Sequence, residues 1–351
     1  MSRQYWSKPL FDLVPYTPGE QPKIVDLIKL NTNENPYPPT PAIKHILAEF
    51  PIDHLKRYPD PESSDLKNCL AQYHNINSDN VFIGNGSDEV LAHVFMAFFR
   101  QENPILMPDI SYSFYTVYCN LYDIKYQLQP LKDDFSISLE DYAQPNGGII
   151  FANPNAPTGR ALSLSQIEAL LKRNSDSLVV VDEAYVDFGA QSAIELTQRY
   201  DNCLVIQTLS KSRSLAAQRI GFAIGNPELI EGLERVKNSF NSYPLSSVSQ
   251  KMAVAAYQDE NYFQETVTKV INTRTWTQAE LEALDFEVIP SKTNFLFVSH
   301  KTLDAAKIMD SLRAKGIIVR HFSKPKIDKY LRISIGTDDQ MERLIAALKT
   351  L

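Results

Sequence analysis

From residue 81 to about residue 225 the chain alternates two kinds of segment. Short, almost wholly apolar runs stand between turn formers: "NVFIG", "PILMP", "GGIIFANP", "LVVVDEAYVDF" and "CLVIQTLSK". Runs of this kind suit strands covered on both faces, as in a parallel or mostly parallel sheet. Other segments carry apolar residues at helical spacing. Val90, Leu91, Val94, Phe95 and Phe98 share one face after the glycine turn at 84–86, which predicts a helix there. "SLSQIEALLKR" predicts another, with Ser163 or Ser165 as its cap. Strand and helix in alternation predict an α/β fold.

The two ends of the chain read differently. The first thirty or so residues have several prolines and glycines and no steady period, which predicts an extended arm. Tyr5, Trp6, Leu10, Phe11 and Tyr16 give that arm apolar anchors. Beyond Pro244 a long helical region, roughly 246–284, leads into "FEVIPSKTNFLFVSH", a helix, "GIIVRHF", "YLRISIGT" and a last helix "DQMERLIAALKT". That order suggests a smaller α+β domain. The predicted division is an arm at 1–30, a large domain at 31–244 and a small C-terminal domain at 245–351.

Composition narrows the function classes. At 351 residues the chain is long enough for two domains and a large core. The net charge of −7, with no basic run, argues against a nucleic-acid partner, since phosphate contacts need clustered Lys and Arg. The first residues hold no apolar leader core, and no stretch approaches the roughly 18 apolar residues of a membrane span. Cys69, Cys119 and Cys203 are widely separated and lack zinc-site or disulfide-framework spacing, which fits a reducing compartment. The expectation is a soluble cytoplasmic protein.

Three places carry candidate chemistry. The Gly84-Asn85-Gly86-Ser87 turn, between a strand and a helix, can aim free backbone N–H groups and the helix dipole at an anion. Asp182 and Glu183 end a buried-looking strand, with Tyr185 close behind, at the strand edge where open α/β sheets bind ligands. Lys211 follows another strand on the same expected edge, and Arg219 comes eight residues later. A desolvated lysine can act as an amine nucleophile, and an arginine fork suits a phosphate. Each has an ordinary explanation alone. Many strand–helix turns hold glycine, strand-end aspartates often cap helices, and most lysines are solvated. Together they are the parts needed to hold pyridoxal phosphate: an amine for its carbonyl carbon, a carboxylate to keep the ring nitrogen protonated, and a cradle with an arginine for the phosphate.

With these residues in order, the chain resembles the fold-type I pyridoxal-phosphate aminotransferases. The resemblance runs over essentially the whole length through "VPYTPGEQP", "LNTNENPYPPTP", "RYPDP", "GNGSDEVL", "NPNAPTG", "VVDEAYVDF", "TLSKSRSLAAQRIGFAIG", "KTNFLF" and "LRISIGT". "NENPY" with "PYTPGEQP" narrows it to the histidinol-phosphate branch. The resemblance implies a mostly parallel sheet in the large domain and a homodimer with shared sites. It implies that Lys211 bonds the cofactor, Asp182 pairs with the ring nitrogen, Tyr185 reaches the phenolic oxygen, and Tyr112 stacks on the ring. Ser87, Asp88 and Glu89, mainly by their backbone, with Ser210 and Arg219, are implied to hold the phosphate, joined by Tyr58 from the neighbouring subunit. Asn155 precedes Ala156, where the wider family often has asparagine, so it either shares the phenolic oxygen or leaves it to Tyr185. Tyr16, Arg320 and Arg332 are implied to line the substrate side. The implied reaction moves an amino group between L-histidinol phosphate and 2-oxoglutarate in histidine biosynthesis. An aromatic amino-acid aminotransferase and a threonine-phosphate decarboxylase would use nearly the same motifs.

Overall fold

Seven strands form one sheet in a computed structural model that describes residues 3–22 and 26–351. In chain order they are β1 (Val81–Gly84), β2 (Ile105–Pro108), β3 (Tyr126–Gln129), β4 (Ile149–Ala152), β5 (Val179–Asp182), β6 (Cys203–Thr208) and β7 (Gly221–Gly225). Across the sheet they run β1-β7-β6-β5-β4-β2-β3. All neighbours are parallel except those of β7, which is antiparallel to both β1 and β6. Every residue of six of these strands is buried, because helices cover both faces. The exception is β3, "YQLQ", an edge strand with three of its four residues exposed. Its polar composition hid it from the apolar pattern and leaves the open edge less prone to pair with another chain.

The direction of the strands positions the site. β1, β5 and β6 run the same way, so the Gly84 turn, Asp182 and the Lys211 loop emerge on one edge. The antiparallel β7 starts on that edge too, with Gly221 in register with both Gly84 and Thr208.

Local chemistry shapes the helices. Ser163, and not Ser165, caps the helix Leu164–Arg173, in a capping box with Gln166. The long helical region is two helices, Ser247–Gln258 and Glu260–Ala283, broken at Asp259, whose side chain accepts from Tyr262 N and restarts the chain as a new N-terminus. The first of these buries Met252, Ala253, Ala256 and Tyr257 in the same core as Val81 and Val205 of the large sheet. A second core lies under a four-stranded antiparallel sheet, ordered Arg320–His321, Leu331–Ser334, Phe295–His300 and Phe286–Ile289. The start of the chain enters this second core. Strand Ile28–Lys29 pairs in parallel with Ile317–Ile318, and Ile28 and Leu30 are buried there. Before it the arm carries a short helix, Lys8–Asp12, with Tyr5, Phe11 and Val14 exposed. No described helix is long and apolar enough to cross a membrane.

Candidate active site

The turn after β1 builds an anion cradle. Gly86 has φ +79 and opens the helix Gly86–Phe98, so the first-turn N–H groups have no partner within the helix. Arg219 comes to the same place through a left-handed residue of its own, φ +52, which turns the chain back into β7. Its Nη2 lies 2.9 Å from Asp88 Oδ2, and its Nη1 donates to Ser210 Oγ at 3.4 Å. Two glycines make this approach possible. A Cβ on Gly86 would sit 2.6 Å from Arg219 Nη2, and one on Gly221 would sit 2.3 Å from Ser87 N. The spacing of Arg219 and Gly221 is therefore a packing requirement of the cradle.

Asp182 closes β5 at 4% exposure. Tyr115 Oη donates to its Oδ2 at 2.7 Å, and Ala184 N donates to Oδ1 at 3.3 Å. No cation pairs with it among the described residues, and burial pushes its carboxyl up to about 6 despite those two donors. A buried carboxylate in that position is poised for a cationic ligand.

Lys211 Nζ donates to Thr32 O at 3.2 Å and lies 5.7 Å from the centre of the Tyr185 ring. The segment "LNTNENPY" positions both residues. Asn35 Nδ2 donates to the carbonyls of Lys211 and Ser212 at 3.2 and 3.1 Å, and Asn33 Nδ2 donates to Tyr185 Oη at 3.0 Å. Asn33, at φ +58, is itself fixed by Ser334, whose hydroxyl donates to Asn33 Oδ1 at 2.8 Å. Tyr112 Oη donates to the second oxygen of Asp88 at 2.9 Å, so one carboxylate links the aromatic wall to Arg219.

Arg320 and Arg332 line the same cavity, paired in register in neighbouring antiparallel strands, and both guanidiniums stand 5.7 Å from the Phe322 ring centre. Arg332 Nη2 donates to Asn31 O at 2.8 Å, while its Nε is buried without a partner. Burial, together with the Arg320 charge, holds the Arg332 pKa below its ordinary value. Both facts favour an incoming anion. Tyr16 closes this side, stacked on Phe114 at 4.7 Å and tilted toward Tyr112 at 6.3 Å.

Lys211, Asp182, Tyr185, Ser87, Asp88, Tyr112, Ser210, Arg219, Tyr16, Arg320 and Arg332 thus line one cavity. Glu89, expected to contribute mainly by its backbone, Asn155, and Tyr58, expected to act in the neighbouring subunit's site, have side chains that do not line this cavity. Glu89 folds back, its Oε2 accepting from Asn85 N at 2.5 Å. Asn155 is 3% exposed and its side chain is engaged by a loop: it donates to Ile110 O and Thr158 Oγ1 and accepts from Ser111 Oγ. Tyr58 is 81% exposed and stacked on Tyr243 at 4.7 Å, outside its own chain's cavity. Thr32, Asn33, Asn35 and Tyr115 were not picked out by their sequence neighbourhoods; the quoted "LNTNENPYPPTP" was the only signal for three of them.

An amine, an unpaired buried carboxylate and an anion cradle on one wall can hold a ligand with a carbonyl, a ring nitrogen and a phosphate. The arginine pair that lines the same cavity can hold a second anion. Residues 25–348 match the family model of class I and II aminotransferases. The chain is 58% identical to "Histidinol-phosphate aminotransferase 2" of Dechloromonas aromatica, covering 99% of both chains. It is 57% identical to "Histidinol-phosphate aminotransferase 1" of Hydrogenovibrio crunogenus, over 98% of this chain and 97% of that one. The histidinol-phosphate aminotransferase of Sinorhizobium meliloti, solved with pyridoxal-5'-phosphate, superimposes with a TM-score of 0.84 at 26% identity, covering 92% of this chain and 90% of that one. The chain belongs to the class I and II aminotransferases and, within them, to the histidinol-phosphate aminotransferase family.

Proposed function

We propose that this protein moves an amino group between L-histidinol phosphate and 2-oxoglutarate, giving imidazole-acetol phosphate and L-glutamate, with pyridoxal 5'-phosphate as cofactor. The single observation that carries the substrate choice is the register-paired Arg320 and Arg332, one with a buried, unpartnered Nε, lining the same cavity as Lys211. The residues present suit the cofactor by charge: Asp182 for the ring nitrogen, and Ser87, Ser210 and Arg219 for the phosphate. When bound, the cofactor supplies an electron sink for the carbanion formed as the substrate loses its α-proton.

The chain's own residues do the rest. Lys211 Nζ would anchor the cofactor, and its free amine would be the base that takes the substrate's α-proton and returns it. Tyr185 Oη, held by Asn33, presents a hydrogen bond to the phenolic oxygen. Tyr112 would offer an aromatic face to the ring. Arg320 and Arg332 bind the substrate phosphate, which carries close to two charges and three acceptor oxygens near neutrality.

Arg320→Ala is expected to lower turnover of histidinol phosphate by about a hundredfold, the scale of losing one partner of a desolvated charged hydrogen bond. Turnover of phenylalanine, whose single carboxylate can rest on Arg332, is expected to fall less. Rates with both donors in the wild type and the variant check this. Undiminished histidinol phosphate turnover in the variant, or phenylalanine as the faster donor in the wild type, would transfer the assignment to an aromatic aminotransferase.

A homodimer is part of the same proposal. Tyr58 is exposed in its own chain, near a face that also exposes Ile52 at 82% and Leu55 at 63%. Its phenol then serves the cofactor phosphate of the partner. Lys211→Ala and Tyr58→Ala put their lesions in the same site of a mixed dimer and leave the other site intact. Co-refolding the two inactive variants is expected to regain about a quarter of wild-type activity, since half the dimers are mixed and each has one sound site. No recovery on mixing would refute shared sites. The free thiols of Cys69, Cys119 and Cys203 support a cytoplasmic location.

A further inference from the structure

Asp182 has one side-chain donor, and that donor is not among the residues so far given a role. Tyr115 is 1% exposed and its hydroxyl lies 2.7 Å from Asp182 Oδ2, with the Ala184 amide on Oδ1. Both oxygens of the carboxylate therefore already face donors. A neutral Asp182 would have to place its proton against the Ala184 N–H or turn the Tyr115 hydroxyl from donor to acceptor, whereas an ionised Asp182 accepts from both and keeps lone pairs for a third donor in the cavity. The same tyrosine stands edge-on to Tyr112, with ring centres 5.6 Å apart at 90°, and packs on Phe95 at 6.2 Å.

We propose that Tyr115 is a positioning residue that commits Asp182 to the acceptor role, so that the cofactor's ring nitrogen, and not the carboxyl, carries the shared proton. This rests on the proposed cofactor chemistry and adds the residue that fixes where that proton sits. The titratable groups around the pair are Asp88, on the helix after β1, and Tyr112 and Tyr118, flanking Tyr115. Asp88 acts the other way, its charge raising the Asp182 carboxyl, and its own ion pair with Arg219 limits that influence. Burial and the neighbouring Asp182 hold the Tyr115 hydroxyl protonated well above its ordinary range, so it remains a donor wherever the protein is folded.

The test is Tyr115→Phe, which keeps the ring and its packing and removes only the donor. In the loaded enzyme, with ring-labelled cofactor, the 15N signal of the ring nitrogen is expected to move from the protonated toward the unprotonated position. The kcat for the amino donor is expected to fall about tenfold or more, with KM within about twofold, since the lost hydrogen bond served a charged group away from the substrate anion site. A second measurement needs no cofactor. The pH range over which the cofactor-free protein loses stability as Asp182 ionises is expected to move upward by about one pH unit. Tyr142→Phe is the control, because that buried hydroxyl has no hydrogen-bond partner. A nitrogen signal and kcat equal to the wild type, or an unmoved stability profile, overturns the role of Tyr115. A wild-type protein that binds no pyridoxal phosphate defeats the parent proposal instead, so the two failures are distinguishable.

Discussion

Lys211→Ala is expected to abolish covalent retention of the cofactor and to lower turnover by at least about a thousandfold, since anchor and base are lost together. Its Nζ makes one hydrogen bond, 3.2 Å to Thr32 O, so folding should survive the change. No other lysine lines the cavity among the described residues to take over. Borohydride reduction followed by peptide mapping gives the answer directly. The wild type should carry the label on the peptide containing Lys211, and the variant should carry none. A label on another lysine, or turnover within tenfold of the wild type, would remove Lys211 from the mechanism.

The second large effect has opposite signs in the cofactor-free and loaded protein. Desolvation raises the Asp182 carboxyl from an ordinary 3.8 to about 6, with Tyr115 and Ala184 partly offsetting it. A carboxyl raised on folding stabilises the protein below its unfolded pKa, and that contribution is lost as pH rises through the folded value. Above pH 6 the unpaired buried charge thus costs about 3 kcal/mol. Asp182→Asn removes that charge. At pH 8 the cofactor-free variant is expected to melt a few degrees higher than the cofactor-free wild type. The loaded variant is expected to gain less from the cofactor and to turn over about a thousandfold more slowly, having lost the partner of the ring nitrogen. Melting curves from pH 5 to 9, with and without pyridoxal phosphate, test both halves. A cofactor-free variant less stable than the wild type at pH 8 would mean that Asp182 is held by groups other than those described.

Lys211 and Asp182 were legible because a mostly parallel sheet sends the carboxyl ends of its strands to one edge, and both residues end apolar runs. The helix at 86–98 was legible for a similar local reason, its apolar stripe. What stayed hidden depends on distance along the chain. Asn33 meets Tyr185 across 152 positions, Asn35 meets Lys211 across 176, and Tyr115 meets Asp182 across 67. No periodicity of one segment encodes such a meeting. Asn155 shows the same limit: its side chain is taken up by Ile110 and Ser111, 45 and 44 positions away, as well as by Thr158, a competition that a motif does not display. The edge strand β3 was missed because exposure removes the apolar signature, and the break at Asp259 because a cap inside a long helical stretch changes only one side chain's partner.

The pairing of Ile28–Lys29 with Ile317–Ile318 bears on the order in which the molecule is made. A ribosome releases the first of these strands long before the second exists, so the early strand must wait, unpaired, while the seven-stranded sheet is synthesised. Closing a free loop of that span would cost about 5 kcal/mol in chain entropy, which is reduced when the intervening sheet has already condensed. Residues 31–35, which orient Lys211 and Tyr185, lie directly after the waiting strand. Asn33 takes its own hydrogen bond from Ser334, near the other end. Lys211 is therefore oriented by residues made first and fixed last, and a nascent chain that has already built its whole sheet still lacks the Ser334 contact that holds Asn33 in place.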